Sequence, residues 1–146
     1  RCIVLVVRVK VRILCGSKSI DVSALANSGY ESETPQILIP IPVAQTLGLW
    51  PPTQSFEETV FETAGGPLRV WIAPRICKSV VVAEDTISSE VDIDIVISPL
   101  ADEVLLSDKT ISEFQLVLED VGKGLWRFRW EPTTKLRKSE PPKYWK

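Results

Sequence analysis

The 146-residue chain reads as a mostly β domain with one or two short helices. Short runs rich in Val and Ile recur along most of its length, several alternating apolar with polar residues as a half-buried strand does. Gly-containing polar turns separate many of these runs. Helix boundary signals occur at only two brief stretches, near Pro42 and near Ser107.

The length fits one domain with a real core. A content of 45% hydrophobic and 25% charged residues is that of an ordinary globular protein. The net charge of −2 gives no reason to expect nucleic acid or an anionic membrane as partner. No apolar run approaches the ~20 residues that cross a bilayer. Cys2–Val7, behind a single Arg, is too short for a signal-peptide core and reads as strand. The chain has no Met, so Arg1 is taken to follow residues not included here, and a targeting segment could be among them. Cys2, Cys15 and Cys77 are widely spaced and odd in number, which predicts buried free thiols and a cytoplasmic, reducing location. With no His and no paired Cys motif, neither a zinc site nor any other metal or cofactor is expected. The lack of His also removes the usual Ser-His-Asp and Cys-His schemes, leaving carboxylate chemistry as the main option.

In chain order, Ile3–Leu14 is a period-two strand with Arg8, Lys10 and Arg12 on its polar face. Cys15-Gly16-Ser17-Lys18 turns it into a returning strand, Ser19–Ala26. Ile37-Leu38-Ile39 is a short buried strand ended by Pro40, and Pro42 opens a short helix that Gly48 caps. Phe56–Phe61 and Leu68–Ala73 flank a tip at Thr63-Ala64-Gly65-Gly66 and form a hairpin. Ser79–Ala83 and Val91–Ile97 are further strands joined by an acidic loop. Asp92 and Asp94 alternate with apolar neighbours, so both are expected on a solvated face rather than as a catalytic pair. Ser107 caps a helix within Lys109–Leu116. A last hairpin ends in Leu125–Trp130, where Trp126, Phe128 and Trp130 alternate with Arg127 and Arg129. That stripe resembles a single-strand nucleic-acid platform, but a buried aromatic face or a subunit contact is the reading preferred. Residues 1–130 are read as the domain and residues 131–146 as a Pro/Lys-rich extension.

The candidate site is Asn27-Ser28-Gly29, at the end of the second strand. Taken alone it is an Asx-type turn, with Gly29 supplying freedom in φ. Its setting adds more. The order runs from the hairpin and Asn27-Ser28-Gly29 through Ile39–Leu49 and Thr63–Gly66 to Val104-Leu105-Leu106-Ser107-Asp108 and a helix. Across roughly Val9–Arg129 this order is similar to archaeal and bacterial retropepsin-like aspartic peptidase domains, with Asn27 where the catalytic Asp belongs.

The resemblance implies a barrel-like fold working as a two-fold homodimer, each subunit giving one Asn27-Ser28-Gly29 loop at the axis. A two-lobed single chain would need a second loop, and Asp85-Thr86 is followed by Ile87 rather than Gly. The resemblance also implies that Thr63, Ala64, Gly65 and Gly66 form a flap over an extended peptide, with Tyr30 and Glu31 beside it. Three departures stand out: Asn27 for the catalytic Asp, Tyr30 for a small residue, and Ser107 for a Gly. Asn cannot ionise or pass a proton, so the chain as written is expected to be an inactive aspartic endopeptidase, by substitution or by natural loss. The alternatives are a natural pseudopeptidase that binds peptides without cutting them, and an interaction domain using the Trp/Arg strand and basic tail.

Overall fold

A computed structural model describes residues 6–145, apart from the side chain of Thr63. The expected strand residues at positions 2–5, Cys2 among them, lie outside the described residues. β1 (Arg8–Cys15) buries Val9, Val11 and Ile13 and turns Lys10 outward, as period two dictates. Gly16, at φ +62°, makes the turn into β2 (Lys18–Ala26), and Arg12 pairs across the two strands with Asp21 at 2.7 Å. β3 (Gln36–Ile39) stops at Pro40, and α1 (Ile41–Thr46) follows with Pro42 in its first turn. Gly48, at φ +74°, caps that helix with its N–H on the Gln45 carbonyl, as expected.

β4 (Glu57–Thr63) and β5 (Gly66–Val81) form the hairpin. β6 (Val91–Ile97) and β7 (Val104–Leu106) follow, then α2 (Asp108–Glu113), with Ser107 accepting from the Thr110 N–H as the expected cap. The helix is shorter than Lys109–Leu116, because Gln115 enters the left-handed region at φ +58° and Leu116 opens the next strand. β8 (Leu116–Asp120), β9 (Leu125–Phe128) and β10 (Arg137–Lys138) make a separate three-stranded sheet.

The main sheet runs β1-β2-β7-β3-β6-β5, and β1 pairs with β5 to close it into a six-stranded barrel. β4 stands outside the closure, paired to β5. β7 runs parallel to β2, and β6 parallel to β3. The interior is filled by Val, Ile and Leu from all six strands, joined by Phe114, Trp126 and Phe128.

Three expectations change. Leu68–Ala73 and Ser79–Ala83 are not separate strands: β5 runs through, with a bulge between Ala73 and Cys77 that absorbs the polar interruption. Asp94 is not on a solvated face. It is 8% exposed, because the bulge turns Arg75 toward it, while Asp92 is exposed as expected. Cys15 and Cys77 are not free thiols but a disulfide, since β1 and β5 bring their Cα atoms to 4.4 Å. The stretch after Glu131 is largely irregular, as expected, and is held against the domain. Arg137 pairs with Glu131 and Asp85 over the rings of Trp126 and Phe128, Glu140 donates to the Arg8 carbonyl at 2.8 Å, and Trp145 packs on the core. The aromatic stripe is buried at Trp126 and Phe128, and Trp130 stacks on Phe128 at 4.3 Å with half its surface exposed.

Candidate functional site

β2 is held between β1 and β7, and its last residues lead straight into the Asn27 turn. The Asn27 N–H donates to the Leu106 carbonyl at 3.3 Å, so the loop begins level with the end of β7. Asn27 Oδ1 then accepts from the Gly29 N–H at 3.1 Å, and the Asn27 carbonyl accepts from the Tyr30 N–H at 3.0 Å. This is the Asx-type turn that the sequence suggested. Gly29 is not in the left-handed region, however, so freedom in φ is not what the turn takes from it. Its contribution is space: a Cβ there would lie 3.3 Å from Asn27 Oδ1. Asn27 is half-buried, whereas Ser28, Gly29 and Glu31 are exposed.

The segment from Ser107 to Thr110 clamps the loop from the other side. The Asp108 N–H donates to the Tyr30 carbonyl at 2.8 Å, and Asp108 Oδ1 accepts from the Ser32 N–H at 3.0 Å. Ser107 Oγ accepts from the Gln36 N–H at 3.1 Å, and Thr110 Oγ1 donates to the Gln36 carbonyl at 2.7 Å. Asp94 ties down the same loop further along, accepting from the Thr34 hydroxyl and, at 2.8 Å, from the Arg75 N–H. Sequence reasoning missed Asp94 and Asp108 as supports of this loop. Ser107-Asp108-Lys109-Thr110, hydroxyl and carboxyl groups in one helical turn, was the available signal for Asp108.

Tyr30 is the link between the loop and the hairpin. Its ring packs with Phe61, Leu68 and Ile72 of the hairpin against a small apolar cluster of Leu38, Val70 and Val96. Its hydroxyl donates to Gln36 Oε1 at 2.7 Å. Burial first, and the Asp94 carboxylate second, push the phenol well above its ordinary range, so it stays a donor. The hairpin tip pairs Thr63 with Gly66, with Ala64 and Gly65 exposed between them and Gly66 at φ +111°. The hairpin's body, rather than its tip, is therefore what shares a cluster with Tyr30.

The chemistry open to this loop follows from its side chains. With Oδ1 committed to Gly29, Asn27 retains an NH2 donor and has no proton to exchange. A neighbouring hydroxyl, Ser28, is exposed beside it. Such a loop can bind polar groups and cannot activate water by itself. Among the described residues no group of three or more His, Cys, Asp or Glu side chains converges as a metal site. No protein-family model matches this chain, and no curated protein matches it.

Proposed function

We propose that the chain carries the scaffold of a homodimeric aspartic endopeptidase whose catalytic position is filled by Asn27, so that as written it binds an extended peptide without cutting it. The observation that carries this reading is the placement of the Asn27-Ser28-Gly29 turn. It ends a strand of a closed six-stranded barrel, is clamped by the β7–α2 junction, and shares an apolar cluster with a protruding hairpin. One such loop per chain calls for a second copy to complete the site. In that dimer two carboxylates at position 27 would share one proton, because both cannot be charged at close range. The ionised member would take a proton from water and the protonated one would polarise the scissile carbonyl.

The test is Asn27→Asp. The change keeps the volume and leaves an oxygen to accept from Gly29, so fold and association should persist. The variant should cut unfolded protein with a bell-shaped acidic pH profile, be blocked by a transition-state mimic of aspartic peptidases, and be insensitive to chelators.

A second reading is a natural peptide-binding pseudopeptidase, in which Asn27 is the native residue. It takes over if Asn27→Asp stays dimeric and folded yet cuts nothing from acidic to neutral pH.

A further inference from the structure

The barrel and the tail leave between them a cleft of about 440 Å3, away from the Asn27 turn. Lys10 of β1 and residues 82–84, just beyond β5, form one wall, and the tail from Lys135 to Glu140 forms another. The tail is fastened at both ends of this span. Lys135 and Arg137 pair with Asp85 at 3.1 and 2.8 Å, and Ser139 Oγ accepts from the Arg8 N–H at 2.7 Å. The cleft is therefore built into the folded domain and is not a gap beneath a loose end.

The two buried side chains that line it, Trp126 at 4% exposure and Arg137 at 9%, can donate hydrogen bonds and cannot accept them. Glu131 and Asp85 engage Arg137, but the Trp126 indole N–H is buried with no acceptor, a state that folded proteins rarely tolerate. Lys10 and Lys138 bring two ammonium groups that make no ion pair among the described residues. The lining thus asks for an acceptor, and a charged one. Glu84 and Glu140 line the cleft as well and are also unpaired, so a second negative charge on a ligand would be repelled. Val82 and Leu136 add apolar surface beside the indole. We propose that this cleft binds a small apolar monocarboxylate. Lys10, Lys138 and the Trp126 N–H take its carboxylate, and Val82 and Leu136 cover its apolar body.

The test follows the five tryptophan indole N–H resonances of the full chain as phenylacetate is added. The Trp126 resonance should shift and saturate, with a dissociation constant of about 1 mM or tighter. Phenylacetamide keeps the shape and loses the charge, and acetate keeps the charge and loses the ring. Each should bind about tenfold more weakly or worse. Inorganic phosphate should do no better than acetate. Lys10→Gln/Lys138→Gln should weaken phenylacetate by about tenfold. Its urea midpoint, unchanged from that of the parent, separates lost affinity from lost fold.

A Trp126 resonance that stays in place overturns the proposal, whatever the other indoles do. So does an amide that binds as well as the acid, or an affinity indifferent to the loss of both lysines. Acetate or phosphate binding as tightly as phenylacetate overturns it too, since the apolar body would then count for nothing.

Discussion

The Asp94 carboxylate accepts a hydrogen bond from the backbone N–H of Arg75 at 2.8 Å, so an acid on β6 closes the bulge that interrupts β5. Its other oxygen accepts from the Thr34 hydroxyl, and the Arg75 Nε lies 3.4 Å away. Removing this buried acceptor strands the Arg75 N–H and the Thr34 hydroxyl. Asp94→Ala should cost about 2–4 kcal/mol in urea unfolding. The exposed neighbour Asp92 is the control, and Asp92→Ala should stay within about 0.5 kcal/mol.

The Cys15–Cys77 disulfide joins β1 to β5 next to the Leu14–Lys78 pair, at the end of the barrel seam. The bridged residues are 62 apart in sequence, so reduction frees a long loop in the unfolded chain. By loop entropy the loss should be about 4 kcal/mol, with strain and residual structure able to reduce it. Unfolding with and without reductant measures it, and the Cys15→Ser/Cys77→Ser variant should match the reduced protein. If reductant leaves the midpoint unchanged in a protein whose thiols titrate as blocked beforehand, the bridge contributes nothing to the seam.

Acid should release the segment from Glu131 onward before the barrel unfolds. Hydrogen bonds from Arg137 and then Lys135 pull Asp85 down to about 2, and Arg137 likewise lowers Glu131. Carboxylates with depressed values stabilise the folded form at pH above their unfolded values of about 4 and lose that effect as pH falls. Tail docking should therefore weaken between about pH 4 and about pH 2. Tryptophan fluorescence should report it through Trp126 and Trp145. Arg137→Leu should remove this low-pH step, and a step that survives the substitution would assign it elsewhere.

The protein should be a two-fold dimer with the Asn27 turns at the axis, since each chain has one such turn. Light scattering after size exclusion decides it. A monomer at tens of micromolar, roughly the range in which weak association becomes visible, would remove the shared site.

Legibility in the sequence followed how local each cause was. The Gly16 turn, the Pro42–Gly48 helix and the Ser107 cap are set by neighbouring residues, and all were readable. So was the Asn27 turn, although the role of Gly29 was misread. Closeness to the Asn27 carbonyl-type oxygen matters there, and no one-residue signal separates that from a need for positive φ. Asp94 was missed because its burial depends on the β5 bulge, and the Cys15–Cys77 bridge because it depends on the closure of the barrel. Val91–Ile97 alternates as a surface strand would, and only the Arg75 backbone turning toward it makes position 94 an interior site. The cysteines become partners through the pairing of β1 with β5, a closure that no local pattern encodes.

β5 belongs to two structures at once. Its first half forms the hairpin with β4 through Gly66–Ile72, and its second half, Cys77–Val81, includes the residues that pair with β1. Between them the ladder to β6 lapses, and Arg75 sits at φ +51°. The strand is thus a crank with its bearing at residues 74–76. The arm is tied to β6 through Trp71–Ala73, and the shaft is bonded to β1 and pinned by Cys77, so each half has its own anchor. The bearing itself is tied through Asp94 to Thr34, and so to the span that connects the Asn27 turn to β3.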